Sequence, residues 1–120
     1  MKQLTKAEEE IMHILWELEE GSAQQVRDQF DEPKPAYNTV STIIRILEDK
    51  KFVSYRKEGR VHIYFPIVKK ADYSNNSINK LVDNYFSGSF KSMVSFFMKK
   101  NDISLNELEE ILNTINTEEE

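Results

Sequence analysis

The sequence predicts a mainly α-helical fold that carries one small β-hairpin (α+β), and three observations predict it. Apolar residues recur at helical spacing through most of the chain, as Val40, Ile43, Ile44 and Leu47 do at i, i+3, i+4 and i+7. Strict alternation is confined to Phe52-Val53-Ser54-Tyr55-Arg56 and Val61-His62-Ile63-Tyr64-Phe65, on either side of Gly59. Helix starts are written three times in one chemistry, a hydroxyl followed three residues later by Glu or Gln: Thr5 and Glu8, Ser22 and Gln25, Ser104 and Glu107.

A chain of 120 residues is long enough for one domain with an appendage. The change of texture near residue 70 divides it into 1–70 and 71–120. With 39% hydrophobic and 31% charged residues the composition is that of a soluble globular protein. No apolar run approaches the roughly 18 residues of a membrane span, so no membrane insertion is expected. The opening MKQLTKAEEE is acidic where a signal peptide is basic and then apolar, which predicts a cytoplasmic protein. The absence of Cys removes disulfides, thiolate metal sites and Cys nucleophiles. No acid and base pair stands out, there is no phosphate-binding Gly loop, and only three Gly occur. An enzyme is therefore not expected, nor are catalytic residues, a metal or a cofactor.

In chain order, the Thr5 and Glu8 pair opens a helix over 6–19, with Ala7, Ile11, Ile14, Leu15 and Leu18 as its buried stripe and Met12 and Trp16 partly buried. His13 stands beside the stripe without a second ligand at metal spacing and reads as structural. Gly21 is the expected helix stop, as a residue tolerant of positive φ. Ser22 opens a short second helix to about residue 30, with Val26 and Phe30 inward. Pro33 and Pro35 then forbid a continuous helix.

The third helix, AYNTVSTIIRILEDK over 36–50, has two faces of different purpose. Val40, Ile43, Ile44 and Leu47 form a stripe that must be buried. At about 100° per residue, Asn38, Thr42, Arg45 and Asp49 point the other way, with Thr39 and Ser41 on the flanks. Short hydrogen-bonding side chains near a helix N-terminus, followed by an Arg, suit a helix whose first turns enter the major groove of DNA. An ordinary solvated face is the alternative. The charge distribution bears on the choice. The net charge is −5, but residues 36–70 hold 8 basic against 3 acidic residues while the flanking segments are acidic, which puts the positive excess where a phosphate backbone would need it.

The alternating segments after Lys51 make a hairpin whose turn is expected over Lys57-Glu58-Gly59-Arg60, with Arg56, Lys57 and Arg60 at the tip as a phosphate-facing wing. A solubilising sheet edge is the alternative. His62 is a hairpin residue without a catalytic partner, and Pro66 ends the strand. Beyond Ala71, Asp72 or Ser74 can cap a helix through Ile78, Leu81, Val82, Tyr85 and Phe86, stopped at Ser87-Gly88-Ser89. A further helix carries Phe90, Met93, Val94, Phe97 and Met98, and a last one Leu105, Leu108, Ile111, Leu112 and Ile115. Three such short amphipathic helices cannot bury all their faces against one another, which predicts a second chain as partner. Thr117 to Glu120 is expected to be a frayed acidic tail.

These residues resemble the penicillinase and methicillin-resistance repressors, the BlaI/MecI group of bacterial winged-helix regulators. The resemblance runs through LTKAEEEIMHILWELEEGSAQQV, YNTVSTIIRILEDKKFV, the wing YRKEGRVHIYFPIV, and YFSGSFKSMVSFF with LNELEEIL after it. It implies a homodimeric repressor on palindromic operators, with a winged-helix DNA-binding domain over 1–70 and a helical dimerisation region over 71–120. By position, Asn38, Thr39, Ser41, Thr42 and Arg45 would face DNA, Arg45 toward a base or a nearby phosphate, and Lys57 and Arg60 would hold phosphate on the wing. Leu81, Tyr85, Phe86, Phe90, Leu105, Leu108, Ile111 and Leu112 would serve dimerisation. Antibiotic-responsive members are inactivated by cleavage at an Asn-Phe bond by a membrane-bound sensor protease. The aligned pair here is Phe96-Phe97, which keeps the Phe but not the Asn. Copper-responsive relatives carry a C-terminal Cys motif that this chain lacks. Two other readings differ in kind: a winged helix used as a protein-interaction module, and a ligand-sensing regulator with a pocket among Tyr73, Tyr85, Phe86, Phe90 and Phe96.

Overall fold

The computed structural model describes residues 1–119, with side chains as far as Thr114. The expected inward side chain of Ile115 and the terminal Glu120 lie outside the described residues. The order of elements is α1 (Lys6–Leu18), α2 (Ala23–Asp28), α3 (Tyr37–Asp49), β1 (Val53–Glu58), β2 (Val61–Pro66), α4 (Lys70–Tyr85), α5 (Phe90–Lys100) and α6 (Leu105–Glu119). Residues 117–119, expected as a frayed tail, thus continue the last helix. Two compact units divide after Ser77, inside α4. No helix among the described residues is long and apolar enough to cross a membrane.

The first unit is a winged helix built on α3. Val40, Ile44 and Leu47 are fully buried against Ile11, Met12 and Leu15 of α1, Val26 of α2, and Phe52 and Val53 at the start of the hairpin, with Ile43 packed at the edge. Met12 is wholly buried rather than partly. Trp16 is half-buried, and its indole N–H donates to the Val68 carbonyl at 2.8 Å. Of the three expected capping boxes, those at Thr5 and Ser22 are formed in full, and at the third the Glu107 N–H donates to the Ser104 hydroxyl at 3.2 Å.

Three local expectations are corrected by tertiary contacts. Ala7 is exposed and Glu8 takes the inward position, because Lys50 at the end of α3 draws its carboxylate in with contacts of 2.6 and 3.0 Å. The residue that turns the chain out of α1 with positive φ is Glu19, at 72°. Gly21 instead pairs with the hairpin: its N–H donates to the Tyr64 carbonyl at 2.9 Å, and the Tyr64 N–H returns a bond of 2.8 Å. Finally, α4 begins at Lys70, ahead of both Asp72 and Ser74, and the Tyr73 N–H bonds to the Lys69 carbonyl. The early start carries Tyr73 into the core, where its hydroxyl donates to Glu9 at 2.8 Å and accepts from the Leu4 N–H at 3.2 Å. Its ring lies edge-on to Phe52.

The second unit buries far less. Val82 and Met93 are its buried apolar residues among those described, while Leu81, Tyr85, Phe90, Leu105, Ile111 and Leu112 are exposed and Phe86 and Leu108 are half-buried. The turn between α4 and α5 is where expected: Ser87 and Gly88 both take positive φ, and the Gly88 N–H bonds back to the Val82 carbonyl.

Burial pushes the Glu8 carboxyl up, but the hydrogen bonds from Lys50 and Thr5 and the Lys50 charge outweigh it, leaving the group below its ordinary value. A depressed folded-state value means that the stabilisation is present above the unfolded carboxylate range and is lost as pH falls through the folded value. Glu8→Gln keeps a side chain that can return the capping bond to Thr5 while removing the charge. It is expected to cost about 2 kcal/mol at pH 7. In urea denaturation the difference from wild type should shrink toward zero below about pH 4.

Candidate nucleic-acid interface

The entry to α3 is held by side chains on backbone. Arg27 Nε donates to the Pro35 carbonyl at 2.7 Å. Lys34 Nζ donates to the Asp28 and Phe30 carbonyls at 2.8 and 2.6 Å, closing the C-terminal end of α2. Two cations thereby set the helix-turn-helix angle that the prolines alone leave open. Ala36 caps α3 without a side-chain hydrogen bond, so the first-turn N–H groups have no side-chain acceptor.

With the apolar stripe of α3 buried, Asn38, Thr42, Arg45 and Asp49 are exposed on the opposite side. Beside this crest lies an open cleft of about 420 Å³. Tyr37, Ser41 and Arg45 of α3 form one wall, Arg60, Val61, His62 and Tyr64 of the hairpin the other, and Ser22, Ala23 and Gln24 at the start of α2 the end. The structure thus brings together Ser41, Arg45 and Arg60 of the residues singled out from sequence. Asn38 and Thr42 stand on the neighbouring crest. Thr39 falls on the far flank, in a small recess of about 130 Å³ with Phe30, Pro35 and Ile43. Lys57 is exposed on β1 opposite His62 and does not line the cleft.

Tyr37, Gln24 and His62 were not singled out as site residues. Tyr37 precedes Ser41 and Arg45 by four and eight residues, so helical periodicity could have found it. Gln24 and His62 reach the cleft only through tertiary packing, for which the local sequence carries no signal.

The hairpin extends further than expected. Its strands pair in register from Val53 with Pro66 to Glu58 with Val61, leaving Gly59-Arg60 as a two-residue turn. Gly59 has φ 62°, as a first turn position of this kind requires. Arg56, expected at the phosphate-facing tip, is instead within β1 and paired with Glu20 and with Glu58, the latter at 3.1 Å. The Tyr55 and His62 rings stack across the strands, 4.3 Å apart and 9° from parallel, which stiffens the wing beside the cleft.

In the second unit, Leu81, Tyr85, Phe86, Phe96 and Phe97 line an apolar groove of about 490 Å³ between α4 and α5. The Phe96-Phe97 bond lies within α5, with both rings partly exposed. Of the five aromatic residues offered as a ligand pocket, Tyr85, Phe86 and Phe96 share this groove. Tyr73 belongs to the core of the first unit, where burial raises its hydroxyl pKa, and Phe90 does not line the groove.

Fold and site together define a winged helix, with α3 and the hairpin flanking a cleft that carries Arg45 and Arg60. The profile of the penicillinase repressors matches residues 4–117, and the chain belongs to that family. It is 28% identical over 115 residues to the methicillin resistance regulatory protein MecI of Staphylococcus aureus (strain N315), covering 95% of this chain and 94% of that one. To the penicillinase repressor of Bacillus licheniformis it is 27% identical over 114 residues, with 92% and 89% covered. Among solved structures it is similar to the DNA-binding domain of the repressor BlaI, at a TM-score of 0.52 and 28% identity over 59% of this chain and 88% of that one.

The wing turn makes a clean test of backbone conformation, because a Cβ built on Gly59 would meet nothing within 4 Å. Gly59→Ala should therefore cost only the left-handed conformation, about 1 kcal/mol, read as a lowered midpoint in thermal denaturation.

Proposed function

We propose that this protein is a cytoplasmic, homodimeric repressor that binds palindromic operator DNA, presenting α3 to the major groove and the Gly59-Arg60 wing to the neighbouring backbone. The observation that carries the reading is the pairing of a hydrogen-bonding crest, Asn38 and Thr42, with a cleft that holds Arg45 and Arg60 and no carboxylate among its lining residues. Crest groups suit base edges, and the cations suit phosphates. Dimerisation is supported by the apolar surface of the second unit, where Tyr85 is 75% and Leu105 72% exposed. A two-fold partner covering that surface would double the reading helix and match a palindrome. A membrane-bound sensor protease acting at Phe96-Phe97 is the candidate switch. A cut there separates α6, with Leu105, Leu108, Ile111 and Leu112, from the reading helix, and the helical setting of the bond in α5 requires local unfolding before it can be cut.

Wild-type protein is expected to prefer duplex from its own upstream region over a scrambled duplex by about 10³ in fluorescence anisotropy. Equal binding to both would count against an operator there. Tyr85→Arg should raise the monomer fraction in sedimentation analysis and weaken palindrome binding about 10²-fold, with half-site binding unchanged. A dimer that persists unchanged would remove this surface from the interface.

A further inference from the structure

We infer that the cleft between α3 and β2 is the seat of one phosphodiester strand of the duplex, gripped from both sides by Arg45 and Arg60, so that Arg45 is a positioning contact and base reading falls to Asn38 and Thr42. The inference rests on the DNA-binding reading above and assigns the side chains within it.

Three observations carry it. Arg45 and Arg60 come from different elements yet line the same cleft, and its other polar side chains are hydroxyls, an amide and an imidazole, with no carboxylate. Neither Arg has an ion-pair partner among the described residues, whereas Arg56, a few residues away in sequence, is held by Glu20 and Glu58. Two guanidinium groups in one cleft whose lining holds no carboxylate, with Glu48 acting on Tyr64 from outside that lining, repel each other and attract a polyanion.

The third observation is where Arg45 stands on its helix. The fully buried residues Val40, Ile44 and Leu47 set the inward direction, and at about 100° per residue Asp49, Thr42 and Asn38 lie nearest its opposite, with Arg45 about 20° beyond Asn38. Arg45 is turned from that line toward the hairpin, on the side of Tyr37 and Ser41. It is also about 10 Å further along the axis than Asn38, at 1.5 Å per residue. One turn beyond it, Asp49 occupies the crest and is exposed. A carboxylate there disfavours deep entry of that end of the helix between two phosphate ridges. The first two turns of α3 enter the groove and Arg45 stays at its lip, where the backbone passes between helix and wing.

The test compares wild type, Arg45→Ala, Arg45→Lys, Arg60→Ala and Asn38→Ala on two duplexes, one selected from a randomised pool by the wild-type protein and one scrambled, across a salt series. Arg45→Ala and Arg60→Ala should each weaken both duplexes by a similar factor, roughly tenfold, and each lower the salt slope by about 0.9. Arg45→Lys should restore the slope, since a phosphate contact needs charge and not a planar fork. Asn38→Ala should leave the slope and lower the ratio between the duplexes. A fall in that ratio for Arg45→Ala, unrescued by Lys, would make Arg45 a base reader and overturn the assignment. Replacing chloride by inorganic phosphate at equal ionic strength should leave duplex affinity within about twofold. Strong competition that Arg45→Ala abolishes would assign the cleft to a free anion instead. Wild type that binds neither duplex at low salt would overturn the DNA-binding reading itself. All three positions are exposed, so equal unfolding midpoints should accompany these changes.

Discussion

Burial of one stripe of α3 is the constraint from which the rest of the first unit follows. Val40, Ile44 and Leu47 have no solvent exposure, and a helix that commits those positions has no freedom to rotate about its axis without exposing them. Asn38 and Thr42 are therefore presented outward by the core rather than by any interaction of their own. Both ends of the helix are tied as well. Arg27 and Lys34 hold the turn that leads into it, and the Lys50 to Glu8 pair joins its last turn to the first turn of α1. Glu8, the one buried charged residue among the described residues, makes this tie, and a nearly buried ion pair of good geometry sets a register that apolar contacts leave softer.

The wing is tied in by backbone rather than by charge. The reciprocal bonds between Gly21 and Tyr64 add a bridge to the edge of β2, so the strand that carries His62 and leads back to Arg60 is fixed to the loop before α2. One wall of the cleft is thus anchored to the element whose N-terminal turn forms its end. The cations around it are sorted by their acidic neighbours. Arg56 is paired with Glu20 and Glu58, while among the described residues Arg45 and Arg60 have no ion-pair partner. A chain with net charge −5 can in this way present a locally positive surface.

The second unit obeys a different balance. Its helices are amphipathic, yet Tyr85, Phe90 and Leu105 remain more than half exposed. Apolar area of this kind contributes to stability only once it is removed from water, so the proposed dimer gains most where the single chain gains least. Phe96 and Phe97 lie on the same groove as Tyr85. The surface proposed for assembly and the bond proposed for its control are therefore one neighbourhood.

Much of the fold was legible because its signals are local. Helical periodicity exposed the two faces of α3, the hydroxyl and acid or amide pairs marked the starts of α1 and α2, and Gly59 marked the wing turn. The errors share a cause. Local pattern places Ala7 inward, makes Gly21 a helix stop, offers Asp72 or Ser74 as a cap and sets Arg56 at the phosphate-facing tip, and in each case a contact distant in the chain decides otherwise: Lys50 with Glu8, Tyr64 with Gly21, Leu4 and Glu9 with Tyr73, and Glu20 with Arg56. The sequence by itself determined which residues form helices, which face of α3 must be buried and where positive charge accumulates, since propensity, periodicity and charge are properties of neighbouring residues. Only the tertiary structure decided that Arg45 and Arg60 share one cleft with Tyr37 and His62, and that Arg56 does not. Which charges meet depends on packing between elements far apart in the chain, and no spacing along the chain encodes it.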